Sequence, residues 1–186
     1  MIETERLLLR PWVADDRAPF ASMNADPAVM DFPGPLTREE SDAEIDSFVE
    51  RWQGDGFCFG AVERQSDREF LGMVGLARCE MDAPFCPCVE IGWRLPQAYW
   101  GRGYASEAAR AWIDHGFARL GLAEIVAFTD PNHARSLAVM RRIGMEPDPA
   151  RDFEHPAMPE GHPLRHHVVY AVNRDMWTKA RACVGS

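Results

Sequence analysis

The apolar positions of the 186-residue chain change period along its length, and each change marks an element. Leu7-Leu8-Leu9 followed by Arg10-Pro11 is a short buried strand ended by proline. Arg17 to Asn24 and Arg38 to Trp52 carry helical spacing. In the second, Thr37 and Glu40 form a capping-box pattern, and Ala43, Ile45, Phe48, Val49 and Trp52 supply the apolar face. Phe57 to Arg64 and Glu69 to Cys79 are β-rich runs joined by Gln65-Ser66-Asp67-Arg68, which predicts a hairpin. Val89 to Leu95 is the next strand, closed by Pro96. A helix opens after the glycine-bearing loop Trp100 to Ser106 and runs to about Leu120, with Ala108, Ala109, Trp112, Ile113 and Phe117 on one face. Glu124 to Thr129 is a β-branched strand, Asn132 to Ile143 a helix stopped by Gly144, and His167 to Asn173 a closing strand. This alternation predicts a mixed α/β fold, a sheet with helices on its faces, in one domain spanning 1–186.

Composition narrows the classes. Twenty-nine acidic against 20 basic residues leave a formal net charge of -9, which argues against nucleic acid as a partner. The imbalance is local: residues 1–60 hold 13 acids and 5 Arg, whereas residues 90–145 hold 5 acids and 7 Arg. No run approaches the roughly 20 apolar residues that span a bilayer, so no membrane partner is expected. Acids precede the first apolar run and no small-residue cleavage site follows it, unlike a signal or transit peptide. Five cysteines without a CxxC pair fit reduced thiols and a cytoplasmic location. Cys86-Pro87-Cys88 lacks a second ligand pair at zinc spacing, and the histidines from His155 through His162 to His166-His167 lack any H-E-x-x-H arrangement, so no metal is expected.

Trp100-Gly101-Arg102-Gly103-Tyr104-Ala105-Ser106 is the most informative stretch. A strand, glycines at alternate positions and a helix start turn several backbone N–H groups toward one point, with the positive end of the helix dipole behind them. Gly101 and Gly103 permit positive φ, Arg102 adds charge, and Ser106 is placed to satisfy a free N–H of the first turn. The loop matches neither a P-loop, lacking its Lys, nor a dinucleotide fingerprint, lacking the third glycine and the following acid.

With Val89-Glu90-Ile91-Gly92-Trp93-Arg94-Leu95 before that loop, Asn132 and Ser136 after it, and Arg142-Ile143-Gly144-Met145 closing the series, the chain resembles the GNAT acetyltransferase superfamily, and most closely its RimJ/RimL-like branch. The resemblance runs from Glu5-Arg6-Leu7-Leu8-Leu9-Arg10 to His166-His167-Val168-Val169-Tyr170. It implies a mostly antiparallel central sheet with a splayed strand pair that receives acetyl-CoA. The pyrophosphate would lie on Gly101, Arg102, Gly103, Tyr104, Ala105 and Ser106, with Trp100 in place of the Arg or Gln of the general pattern. The backbone of Trp93, Arg94 and Leu95 would pair with the pantetheine arm, which Asn132 and Ser136 would also contact. A helix N-cap is the simpler reading of Asn132 by position.

The implied reaction is attack of a primary amine, on a protein N-terminus or a small molecule, on the acetyl thioester in a ternary complex. Glu90 matches the strand Glu that serves some members as base; pairing with Arg78 or Arg94 is its plain structural reading. Many members use a Tyr four residues before the helix-ending Gly as the thiolate's acid. Met140 stands there, which leaves Ser136 as the candidate, or else makes the chain a catalytically silent acyl-CoA-binding module. In the resembling branch the His-rich segment borders the acceptor, so His155 or His162 would reach it, and homodimers are common.

Overall fold

A computed structural model describes residues 1–30 and 34–184, with side chains through residue 179. The fold is mixed α/β, a mostly antiparallel open sheet flanked by helices. Two compact units are distinguished, one of residues 1–77 and 92–112, the other of residues 78–91 and 113–186, with three elements contributing to both.

The first unit begins with β1 (Ile2–Glu3) and β2 (Leu7–Arg10), followed by α1 (Arg17–Asn24) and α2 (Arg38–Asp55). Next come β3 (Phe59–Arg64), β4 (Phe70–Cys79), β5 (Cys88–Arg94) and, after the glycine loop, α3 (Tyr104–Ala118). The antiparallel order β1-β2-β3-β4 is registered by Ile2↔Leu9, Leu7↔Arg64 and Phe59↔Gly75. Leu7, Leu8, Leu9 and every residue from Leu71 to Ala77 are buried, so these strands show apolar runs rather than alternation. Trp12, Phe20, Met23, Ile45 and Phe48 pack with Ala61 and Met73 into one core.

The capping box forms as predicted: Glu40 N–H donates to Thr37 Oγ1 (3.2 Å) and Thr37 N–H to Glu40 Oε2 (2.8 Å). Ala43 is exposed, contrary to its assignment to the apolar face of α2. That face is centred on Ser41, Ile45 and Phe48, with Trp52 half-buried in line. Ser41 is completely buried because it answers a polar network. Asn24 Nδ2 donates to Ser41 Oγ (3.2 Å), and Arg94 donates to Asn24 Oδ1 (2.9 Å) and Glu44 Oε2 (2.8 Å).

In the second unit β5 pairs in parallel with β6 (Glu124–Thr129) at a single register, Glu90↔Val126. After α4 (Ala134–Arg142) come β7 (Glu146–Pro147), β8 (Phe153–Glu154), β9 (His166–Asn173) and α5 (Arg174–Val184). β9 pairs antiparallel with β6 from Glu124↔Asn173 to Thr129↔Val168, and with both β7 and β8. The two-residue strands β1, β7 and β8 escape any periodicity argument. The polar α5 also goes unpredicted; it is anchored by Trp177, whose indole donates to Asp114 Oδ1 (2.7 Å). Among the described residues no helix is long and apolar enough to cross a membrane.

Candidate functional site

The glycine loop adopts the backbone its sequence asks for. Gly101 (φ +72°) and Gly103 (φ +83°) are both left-handed, and α3 begins directly behind them at Tyr104. Open space surrounds Gly101, and a Cβ on Gly103 would meet only the end of the Arg6 side chain at 3.4 Å, so conformation rather than crowding demands glycine here. Ser106 departs from expectation. Its residue is 2 % exposed, and its Oγ has no hydrogen-bond partner among the described residues, so it does not cap the first turn.

A residue given no role by the sequence holds the loop. Arg6 Nη1 donates to Arg102 O (3.1 Å), Arg6 Nε to Glu107 Oε2 (2.7 Å), and the guanidinium lies 4.6 Å from the Tyr104 ring centre. Glu107 Oε1 also accepts from Arg6 N–H (3.0 Å) and Thr4 Oγ1 (2.6 Å). Burial drives the Glu107 carboxyl up, but those donors from Thr4 and Arg6 overcome it and hold the group below the ordinary carboxylate range. An acid in the first turn of α3 also faces the positive end of its dipole. The signal was present as Glu5-Arg6 at one end and Glu107 at the other, but nothing in sequence joins them.

Trp100 does more than occupy a position of the loop pattern. Its indole Nε1 donates to Leu95 O (2.7 Å), tying the loop to the end of β5. Of the backbone expected to receive an extended ligand, Leu95 O is therefore engaged. The Arg94 side chain is committed to Glu44 and Asn24, so any such role would fall to its backbone. Gly72 (φ +129°) lets β4 approach: a Cβ there would lie 2.3 Å from Arg94 O and 2.9 Å from Leu95 Cα. Trp93 is half-buried on β5, and Ala105 follows Tyr104 in the first turn of α3.

On the same unit, a groove of about 420 Å³ is lined by Ser22, Met23, Asp26, Glu69, Phe70 and Tyr99, among others. Glu69 is not a free charge there, because it accepts from Tyr99 OH (2.5 Å) and pairs with Arg64. Burial, then the hydrogen bond to Glu69, pushes Tyr99 up to about 12. Three of the 13 acids of the first 60 residues are likewise paired: Asp42 and Asp46 with Arg17, Asp42 again with Arg38, and Asp16 with Arg10.

In the second unit Glu90 is half-buried on β5, level with Val126. Its alternative pairing with Arg94 is not the one Arg94 makes, since that guanidinium goes to Glu44. Asn132 is not the N-cap of α4. His133 occupies that position and the helix starts at Ala134. The exposed Asn132 side chain makes no hydrogen bond among the described residues; its backbone N–H donates to Asp130 Oδ1 (2.7 Å) in a tight turn. Ser136, half-buried in the first turn of α4, likewise has no hydroxyl partner among the described residues. Met140 is 2 % exposed and belongs to the core.

His155 and His162 differ. His162 is exposed, and its Nδ1 accepts from Leu164 N–H (3.2 Å), a turn-forming role. His155 stacks among rings, 4.9 Å from His167 and 5.9 Å from Phe153. Burial, and then the neighbouring His167, pushes its pKa below the ordinary value; burial does the same to His167. Neither Cys86 nor Cys88 is primed as a nucleophile: burial raises the Cys86 thiol to about 11, and a hydrogen bond with Cys79 followed by burial raises Cys88. Cys183 lies outside the described side chains.

Most of the chain, the glycine loop included, matches a known family. Residues 6–146 fit the model of the acetyltransferase (GNAT) domain. The chain is 30 % identical over 179 residues to the uncharacterized N-acetyltransferase YnaD of Bacillus subtilis, covering 95 % of this chain and 98 % of that protein. It is 29 % identical over 189 residues to an FsC-acetyl coenzyme A-N(2)-transacetylase of Aspergillus fumigatus, covering 96 % and 78 % respectively. The crystal structure of a GNAT-family acetyltransferase from Bacillus anthracis superposes with a TM-score of 0.77 at 25 % identity, over 94 % of this chain and 98 % of that one. The chain is thus a member of the GNAT acetyltransferase family, whose members carry out acyl transfer from acetyl-CoA.

Proposed function

We propose that this member transfers the acetyl group of acetyl-CoA to a primary amine, on a protein N-terminus or a small molecule, by direct attack, and that it belongs to the RimJ/RimL-like branch. The observation that carries the reading is the pair of left-handed glycines at alternate positions opening α3. The unpartnered Ser106 hydroxyl in the same first turn fits an anion held there. Acyl transfer to nitrogen is supported by the relative named an N(2)-transacetylase.

The backbone N–H groups of Gly101 to Ala105, with the Arg102 charge and the Ser106 hydroxyl, would hold the pyrophosphate. Trp93, Arg94 and Leu95 would align the pantetheine arm through backbone groups, Leu95 by its N–H because its carbonyl already accepts from Trp100. The uncommitted side-chain amide of Asn132 would contact the same arm. When bound, acetyl-CoA supplies an activated acyl group. Glu90 would take the ammonium proton, directly or through water, and Ser136 would orient or protonate the departing thiol. The acid-rich first 60 residues favour a cationic acceptor.

Burial of Met140 where the family commonly places its acid favours a second reading, a silent acyl-CoA-binding module. Both are tested by release of free CoA over peptides with unblocked N-termini, polyamines and aminoglycosides. Turnover with any amine, reduced roughly 10²–10⁴-fold by Glu90→Gln with acetyl-CoA affinity unchanged, supports the first reading. Binding without turnover supports the second, and no binding refutes both.

A further inference from the structure

Three thiols meet where the chain passes from β4 to β5. Cys79 is the last residue of β4, Cys88 the first of β5, and Cys86 precedes it in the connection. Their sulfur atoms all lie within 4.8 Å of one another, and Cys86 Sγ is 3.7 Å from both Cys79 Sγ and Cys88 Sγ. Cys86-Pro87-Cys88 alone is too small a ligand set; the fold adds the third sulfur from seven positions upstream.

Two of the three edges, both at Cys86, have the dimensions of a coordination shell. Sulfurs bound to one tetrahedral zinc at about 2.3 Å stand about 3.8 Å apart, close to both measured edges. A disulfide would need about 2.05 Å, and none of the three is disulfide-bonded. Cys79 is 6 % exposed whereas Cys86 and Cys88 are half-buried, which gives an ion a route in. The surroundings are apolar, with Met81, Ala83, Phe85 and Cys88 packed on the cluster of Val126, Phe153 and Val169. Soft ligands in such a setting select soft cations and disfavour Mg²⁺ or Ca²⁺.

We infer that Cys79, Cys86 and Cys88 form a binding site for a thiophilic d¹⁰ cation, Zn²⁺ or Cu⁺. Each sulfur that ligates releases its proton, and no electron is transferred. Three thiolates complete a trigonal shell for Cu⁺, or three corners of a tetrahedron for Zn²⁺ with solvent at the fourth. The bound ion clamps the end of β4 to the start of β5, independently of any acetyl transfer.

The test uses the full chain, reduced and stripped of metal by a chelator, then titrated with Zn²⁺ against a chromophoric competitor and with Cu⁺ under a competing ligand. One equivalent of either ion should bind, the tighter one identifying the native type, and Cys86→Ser should weaken binding at least about tenfold. Alkylation of the unsubstituted chain, read by peptide mass spectrometry, decides the matter even if variants misfold. Bound ion should slow modification of Cys79, Cys86 and Cys88 together by about tenfold or more and leave Cys58 unchanged. Uptake no greater than that of a Cys79→Ser/Cys86→Ser/Cys88→Ser variant, independent modification of the three thiols, or a disulfide between two of them in place of metal overturns the inference.

Discussion

Replacing Gly103 by alanine adds a single methyl group to the loop proposed to hold the pyrophosphate, and its effect can be worked out from the backbone. At φ +83° the new Cβ forces an L-residue into the left-handed region, a cost of about 1–2 kcal/mol. Steric terms add little, because the only atom nearby is the mobile Nη2 of Arg6 at 3.4 Å. Gly101→Ala carries the same conformational cost at φ +72° with nothing within 4 Å. Gly101 and Arg102 are exposed, so in the free protein this loop can relax out of the strained conformation, and anion binding must restore it. The strain then enters the dissociation constant. Acetyl-CoA affinity should fall about 5- to 30-fold for either substitution, at 1.4 kcal/mol per factor of ten. Gly121 supplies the control: its φ is +71°, it too has open space, and it lies beyond the far end of α3. Gly121→Ala should lower the melting temperature and leave affinity alone. Calorimetric titration with acetyl-CoA beside thermal unfolding measures both quantities. Equal loss of affinity at Gly121, or none at Gly101 and Gly103, would refute the nest.

Trp100→Phe keeps an aromatic ring but removes the donor to Leu95 O; acetyl-CoA affinity should fall about two- to tenfold, the worth of one hydrogen bond, in the same titration. Arg10 is 12 % exposed in its side chain and donates to Asp16 and Glu63, whose side chains are only 3 % and 4 % exposed, so Arg10→Met strands buried charge. Denaturant unfolding should show a loss of about 3–5 kcal/mol. His155 and His167 are held below their ordinary pKa by burial, so the unfolded chain binds protons that the fold does not. Stability should be full above about pH 6.5 and decline as pH falls below it. Urea midpoints across that range should show the decline, and His155→Gln should lessen it; a flat profile contradicts the assignment.

Local interactions were legible in sequence because their partners are close along the chain. Thr37 and Glu40 are three residues apart, and their reciprocal bonds follow from helix geometry alone. Gly101 and Gly103 announced a left-handed loop because few other residues adopt that backbone. Elements with a strong period, such as Glu124–Thr129 and Arg17–Asn24, have the bounds the pattern predicts. Errors arose where a polar group outweighed the period. Ser41 took the buried place assigned to Ala43 because Asn24, and through it Arg94, gives its hydroxyl a partner. Asn132, a favourable capping residue, was displaced from the cap when its backbone was drawn into the turn at Asp130.

What the amino-acid order determined by itself was the series of longer periodic elements and the left-handed glycines of the loop, since each rests on residues within one turn or one strand of each other. What the tertiary structure decided was which distant groups meet. Arg6 reaches Glu107 and Arg102 across about a hundred positions, and Glu44 claims Arg94 across fifty. Cys79 joins Cys86 and Cys88 only because a chain reversal returns β5 to the end of β4. Long-range pairing depends on burial, which makes an unpartnered charge or hydroxyl costly, and burial is a property of the packed chain rather than of any segment of it.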